Sequence, residues 1–408
     1  MDYIARELES RFREASNAFR AVMVTGARQV GKSTMLKHLA EGQGRTVVTM
    51  DSAMDRELAR NDPALFFQTY KPPILIDEIQ KAPELLEPIK IMCDESDERG
   101  RFWLTGSQSK KLRKFAGDTL AGRLVTLKLY SLSQREKAGV VGLSPIDFSF
   151  ASLEERQARF EPNDVEKVFE HIWRGGLPDA QGLSEDMLSV YFDSYVETYL
   201  MRDAVDDNGI HDTEGFRRFL RACAALAGEL LNYSTLAQAA EISVSTAKEW
   251  TKVLQGMGIV YLLEPYSNNE LKRLVKTPKI YFCDTGLAAH LSRWPSPDVL
   301  MTGAASGRFY ENYVVMELVR GYEYSPARSN LTYYRDRDKR EIDLIVEEGR
   351  TLHPIEIKKA AAPKRGSTRQ FRLLDSSGFD RGSGGIVCMC EKPFPLDERD
   401  SLIPSNIL

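Results

Sequence analysis

An α/β architecture, a parallel sheet covered by helices, follows from three stretches of the sequence. Ala21–Thr25 is a short apolar run that feeds a glycine-bounded loop and then a segment with helical apolar spacing. Ile74, Leu75 and Ile76 form an apolar strand that ends in the adjacent acids Asp77 and Glu78, and Arg101–Leu104 is a further strand with a polar tip. Strands that alternate with helical patterns need crossover connections, and these give parallel sheets buried on both faces.

The loop after the first strand supplies the chemistry. Gly26, Ala27, Arg28, Gln29, Val30, Gly31, Lys32 and Ser33, followed by Thr34, fit G-x-x-x-x-G-K-[ST] at every fixed position. Glycines let backbone N–H groups close around phosphate oxygens, and the helix predicted to start at Lys32 turns its positive dipole end toward the anion. Lys32 is expected to reach the β- and γ-phosphates of ATP, and Ser33 to hold Mg²⁺. Thr46–Met50 reads as the second strand. At the end of the acidic strand, Asp77 is expected to orient the same ion and Glu78 to polarise the attacking water. The tip Thr105-Gly106-Ser107-Gln108-Ser109 should lie between these two elements, with Thr105, Ser107 or Gln108 near the γ-phosphate or the water. Arg123 opens a last strand, as a structural cap or as the charge that reaches a phosphate of its own or a neighbouring subunit.

Size and composition bound the rest. At 408 residues, with 42% apolar and 28% charged residues, the chain predicts two or three globular domains. No run approaches the roughly 18 apolar residues of a membrane span, and the N-terminus has no apolar signal core, so a cytoplasmic protein without membrane contact is expected. Five scattered cysteines predict reduced thiols, Cys388 and Cys390 on one strand face. A net charge of −4 excludes a whole-chain basic excess, yet Lys358, Lys359, Lys364, Arg365, Arg369 and Arg372 form a run without an acid. That run is a solvated loop or a phosphate-facing surface.

Beyond Ser131 the strand signals fade. Leu188, Tyr191, Phe192, Tyr195, Val196, Tyr199 and Leu200 recur at three- and four-residue steps, which predicts a helix packed inside a helical lid and ending near Arg202-Asp203. Trp173-Arg174-Gly175-Gly176-Leu177-Pro178 reads as a turn before it, with Arg174 a second candidate for nucleotide sensing. From Thr213 a helix, a short helix Ser234–Ala240, a break at Glu241–Ser243 and a helix from Val244 stopped at Gly258 lead into IVYLLEPY. That order predicts a helix-turn-helix with a wing. Ser243–Trp250 brings only Ser, Thr and one Lys to a groove, so positive charge is expected from the wing residues Lys272, Arg273, Lys276 and Lys279.

The C-terminal part begins with an amphipathic helix, GRFYENYVVMELVRG, followed by the alternating strand RDRDKREIDLIVE and the strand LHPIEIK. Period-2 alternation turns Glu356 and Lys358 to one sheet face, where Asp343 of the adjacent strand can join them. Asp343 and Glu356-x-Lys358 match the D…(D/E)-x-K signature of restriction-endonuclease-like folds. Two carboxylates there would bind Mg²⁺, the lysine would position water or stabilise phosphate charge, and Glu311 on the preceding helix is a candidate to complete the site.

Taken together, GARQVGKST, ILIDEIQ, LTGSQS, LAGR, WRGGLP, YFCDTGL and REID resemble those of bacterial and archaeal AAA-type ATPases with a C-terminal restriction-endonuclease-like domain. The resemblance covers nearly the whole chain. One departure is that Gln370 is followed four residues on by Leu374, where recombination-type nucleases carry a glutamine-and-tyrosine pair. It implies a P-loop ATPase domain (1–130), a helical lid (131–212), a winged helix (213–280) and a nuclease-like α/β domain (281–408). The expected activity is Mg²⁺-dependent ATP hydrolysis coupled to handling of DNA, branched DNA included, in a ring, hexameric for preference. The alternative is an ATP-dependent regulatory switch with little hydrolysis and an inactive nuclease fold.

Overall fold

The computed structural model describes residues 3–107, 122–206, 208–267, 277–326, 329–376 and 378–408. Five parallel strands form the N-terminal sheet: β1 (Ala21–Thr25), β2 (Thr46–Thr49), β3 (Ile74–Asp77), β4 (Phe102–Gly106) and β5 (Leu124–Lys128), in the order β2-β3-β4-β1-β5. Every residue of β1, β3 and β4 is buried, which is why these strands are continuous apolar runs rather than alternating ones. The order sets the tip of β4 between the P-loop strand and the acidic strand, as the sequence predicts. Helix Leu8–Ala18 covers one face through Leu8 and Phe12, and the Phe12 ring meets Trp103 edge-on at 4.8 Å. Burying Phe12 contributes about 2 kcal/mol.

The helical middle includes Val165–Arg174, started by an Asp164 cap whose carboxylate accepts from the N–H groups of Glu166 and Lys167. Val168, Phe169, Ile172 and Trp173 make its buried stripe, and truncating Phe169 to alanine would cost about 3–5 kcal/mol. Helix Glu185–Tyr195 passes through a π-type stretch, Val196–Met201, into Arg202–Asp206. Three capped helices follow, Thr213–Ala225, Tyr233–Ala240 and Val244–Gly256, with Asp212, Asn232 and Ser243 as their caps. Phe216 and Phe219 hold the third through edge contacts to Trp250. An antiparallel pair, β6 (Val260–Pro265) and β7 (Lys279–Phe282), completes this unit. The wing residues Lys272, Arg273 and Lys276 lie outside the described residues, as do Gln108 and Ser109.

Helix Ser306–Glu323 then leads into the antiparallel strands β8 (Ser329–Arg335), β9 (Glu341–Glu348) and β10 (Thr351–Lys358). After a 3₁₀ segment, Arg365–Ser376, come β11 (Asp380–Arg381), β12 (Gly384–Cys388), β13 (Phe394–Pro395) and β14 (Asp400–Pro404). β12 runs parallel to both β10 and β14. Two expectations are corrected here. Residues 336–340 are the turn between β8 and β9 rather than part of a strand, because Asp336 accepts from the Arg340 backbone N–H and pairs with its side chain. A boundary at 280/281 would cut through β7, and β6 pairs in parallel with β8, so the hairpin belongs to the C-terminal sheet. The five cysteines are free and buried. Among the described residues no helix is long and apolar enough to cross a membrane.

Candidate functional site

The loop between β1 and helix Lys32–Ala40 has the backbone that its glycines allow. Gly26 sits at φ +148°, and a Cβ there would lie 2.1 Å from the Leu129 carbonyl oxygen; Gly31 is left-handed at φ +94°. Arg6, buried under the loop, donates to the carbonyls of Val30 (2.7 Å) and Tyr130 (2.7 Å) and pairs with Glu136 (3.0 Å). This fixes the loop from behind, leaving the helix N-terminus as an anion cradle. The Lys32 ammonium donates to the loop's own Gly26 (3.1 Å) and Ala27 (2.7 Å) carbonyls. Burial lowers its pKa to about 8 against the opposing pull of Glu78. Among the described residues the hydrogen bonds of this buried cation go to neutral acceptors, which suits it to a phosphate group.

Beside it, Ser33 Oγ donates to Asp77 Oδ1 (2.5 Å), and Thr105 Oγ1 donates to the same oxygen (2.5 Å) while accepting from the Glu78 N–H (3.1 Å). Hydroxyl and carboxylate form the hard oxygen set that magnesium takes. Glu78 itself is left-handed at φ +57°, an uncommon conformation for a side-chain-bearing residue. Its carboxylate accepts from Gln80, whose amide also donates to Ser107 (2.9 Å). Of the tip candidates, then, Thr105 holds both acids and Ser107 holds Gln80.

The lid supplies groups that the sequence assigned to packing. Arg28 forms a forked pair with Asp203 (2.7 and 2.9 Å), and Tyr195 donates to the Arg28 carbonyl (3.2 Å). Gln29 donates to Tyr199 (3.0 Å) and accepts from Tyr191 (2.9 Å). A cleft of about 290 Å³ opens between the loop, Glu78, Tyr199, Pro178 and Asp179. The four-residue steps of the tyrosines read equally as a core stripe, and Asp203 and Gln80 carried no signal.

Two arginines have partners away from the loop of their own chain. Arg123 precedes β5 beside Ala21, at the amino edge of the sheet, and its guanidinium pairs with Asp94 (3.0 Å). A five-residue strand at about 3.3 Å per residue separates it from the loop, so it does not reach a phosphate in its own chain. Arg174 donates to the carbonyls of Ala180 (3.3 Å) and Leu183 (2.7 Å), bracing the turn. The turn's glycines do allow close approach: the Gly176 N–H donates to Asp284 at 2.8 Å.

In the C-terminal sheet, Asp343, Glu356 and Lys358 come together as period-2 spacing predicts. Lys358 Nζ lies 2.5 Å from Glu356 Oε1 and 3.7 Å from Asp343 Oδ2, which also accepts from the Ile357 N–H (2.8 Å). Among the described residues Glu356 Oε2 is buried with no hydrogen-bond partner, and burial beside Asp343 raises the carboxyl to about 7. An orphaned buried oxygen next to a second acid fits a cation. Glu311 is held elsewhere: Lys279 Nζ (2.9 Å) and Tyr281 OH (2.7 Å) both donate to its Oε1. Among the described residues no group of three or more His, Cys, Asp or Glu side chains is arranged to hold a metal. Lys279, expected on a wing surface, is buried in this cluster. Within the basic run, Lys359 donates to Ser306 (2.9 Å) and the Met301 carbonyl, whereas Lys364, Arg369 and Arg372 are exposed.

A family model described as an AAA domain matches residues 18–138, so the unit that carries this loop is a P-loop domain of the AAA type. Models of two domains of unknown function, DUF8612 and DUF4143, match residues 165–298 and 306–408. The chain is similar to uncharacterized proteins of Mycobacterium tuberculosis and Mycobacterium bovis, 27% identical over 404 residues, covering 98% of this chain and 83% of each relative. Among solved structures, a Walker-type ATPase of Pyrococcus abyssi overlays with a TM-score of 0.43 at 16% identity, covering 71% of this chain and 96% of that one. A RuvB variant of Thermotoga maritima overlays with a TM-score of 0.28 at 18% identity, covering 62% and 85%. Both superpositions are loose.

Proposed function

We propose that the chain hydrolyses ATP at the loop 26–34 and couples turnover to the handling of DNA by its later units. The observation that carries the proposal is the shared carboxylate of Asp77, bonded to both Ser33 and Thr105 within reach of a buried Lys32. Backbone N–H groups from Gly31 onward bind the phosphates, and Lys32 leaves its loop carbonyls to contact β- and γ-oxygens. Bound magnesium, held through Ser33 and Asp77, supplies positive charge to those oxygens. Glu78 takes a proton from the attacking water as its oxygen bonds to the γ-phosphorus and the bond to the departing diphosphate oxygen breaks.

For the later units, the three helices and antiparallel pair support a winged helix, in which Val244–Gly256 meets DNA through Ser245, Thr246 and the exposed Lys248. Asp343, Glu356 and Lys358 support a nuclease-like site that grips or cuts a phosphodiester, with Lys364, Arg369 and Arg372 as nearby phosphate contacts. With Arg123 and Arg174 both turned to other partners, we propose that an arginine from a second copy completes the ATP site in a ring. ATPase rates across duplex, single-stranded and branched DNA test the coupling, with stimulation expected and an unchanged rate on every DNA counting against it. Mass measured with and without ATP tests the ring; a strict monomer with full activity refutes it.

A second proposal, a switch with slow turnover, is favoured by the Gln80 amide that restrains Glu78. Under it, Gln80→Ala raises the basal ATPase rate; a fall in rate would instead make Gln80 part of the working site.

A further inference from the structure

Four carboxylates, Glu311, Glu341, Asp343 and Glu356, converge on one region of the C-terminal sheet, but they divide into two pairs. Asp343 and Glu356 share Lys358, whose side chain is 41% exposed. Glu311 and Glu341 share Lys279, at 2.9 and 2.6 Å, whose side chain is only 4% exposed. Lys279 and Tyr281 alternate to the same face of β7, so the hairpin delivers an ammonium and a hydroxyl to Glu311 together. The Tyr333 ring lies 5.6 Å from the ammonium and closes another side. Glu341 is held from beyond by Arg335 at 2.8 Å.

A lysine buried between two acids, as Lys279 is, occupies the position that a bridging cation would otherwise take, whereas the half-exposed Lys358 has solvent to swing into. We propose that Lys279 is a built-in counter-ion, so that the cluster has room for one divalent cation, at Asp343 and Glu356, and Glu311 is not among its ligands. This rests on the nuclease-like reading of Asp343 and Glu356. Among the described residues Glu356 Oε2 is buried without a hydrogen-bond partner, whereas Glu311 Oε1 already accepts from both Lys279 and Tyr281. Because Lys279 opens β7, whose partner β6 pairs with β8, the cluster's capacity is set by a residue outside the strands that carry its acids.

The test is titration of Mn²⁺ into the nucleotide-free full-length chain, followed by the paramagnetic resonance of the free ion. Ions lost in Asp343→Asn count those of the cluster, and one is expected. Lys279→Met frees Glu311 and Glu341 and is expected to take up one ion more than the wild type. Glu311→Gln, which retains an acceptor for Tyr281, is expected to leave the affinity within about twofold, whereas loss of a true ligand or its support weakens binding by about 10–100-fold. Two ions in the wild-type cluster, no additional ion in folded Lys279→Met, or a tenfold weakening in Glu311→Gln each overturn the proposal. Should Lys279→Met not fold, Glu311→Gln decides. No loss of ion in Asp343→Asn removes the nuclease-like reading itself, and the counter-ion role with it.

Discussion

Thr105→Val isolates the group that ties the two acids of the ATP site together. Valine matches threonine in shape but removes the hydroxyl, and Thr105 is fully buried, so no water replaces it. Two bonds are lost: the donation to Asp77 Oδ1 at 2.5 Å, and acceptance from the Glu78 N–H at 3.1 Å. A hydrogen bond to a charged group contributes about 1.5–3 kcal/mol, and a buried N–H left unmet costs about 1–3 kcal/mol. Asp77 keeps Ser33 at 2.5 Å and Lys37 at 3.7 Å, so the loss on its side falls at the lower end. The sum is about 2–4 kcal/mol of stability, read as a shift in the urea midpoint. If half of it also positions Glu78 in the transition state, kcat falls about 5- to 30-fold. Binding of a fluorescent ADP analogue should change by less than about threefold, because Lys32 and the loop amides are untouched. A stability change under about 0.5 kcal/mol with wild-type kcat would refute the role of Thr105 as the tie. A dissociation constant that rose in step with the lost rate would move its action from the acids to the loop.

Glu78→Gln should abolish turnover, by about 10²–10⁴-fold, while ATP binding persists; a variant that still turns over falsifies the assignment of the base. Mg²⁺-dependent DNA cleavage, where it is detected, should vanish in both Asp343→Ala and Lys358→Ala, and cleavage that survives both belongs to another site. His171 gives a pH prediction. Burial, with Lys137 and Arg174 near it, lowers its pKa to about 3, so its native form is neutral. A lowered pKa contributes stability that is present above the unfolded value near 6.5 and is lost as pH falls through that window toward 3. At pH 5 the loss is at most about 2 kcal/mol, and His171→Gln should flatten the fall in urea midpoint between pH 7.5 and 5. Parallel falls in the two proteins would remove His171 as the source.

The ATP site was legible because its parts are local. Gly26 to Thr34 lie consecutively, and β3 ends at Asp77 with Glu78 directly after it, so spacing alone marks them as candidates. The strand order also followed, since short apolar runs between helices admit few parallel arrangements. Partners far apart in the chain were not legible. Arg28 meets Asp203, and Gln29 meets two tyrosines, only after the lid folds back, and nothing in the lid's periodicity separates a hydroxyl aimed at the loop from one at the edge of a core. Which of its alternatives Arg123 serves was not legible, because an arginine opening a strand looks the same at either edge of a sheet; the register Ala21 with Leu124 sets it at the amino edge, away from the loop of its own chain. Lys279 did mislead. Charge counted along a hairpin says nothing of burial, and its two acids come from a helix and a strand that follow it in the chain.

The helix Ser306–Glu323 bears on how the molecule can be dissected. Glu311 near its start belongs to the acid cluster, while Glu317 accepts from the Gln134 N–H at 3.0 Å and Tyr324 just past its end accepts from the Tyr130 N–H at 2.9 Å. Arg320 between them donates to the Ser131 hydroxyl and the Cys283 carbonyl. A fragment that stops before Ser306 therefore strips the Tyr130 and Gln134 amides, just past β5, of their acceptors, however intact its loop 26–34. Truncation experiments on this architecture would report damage to a shared beam as though it were loss of a module.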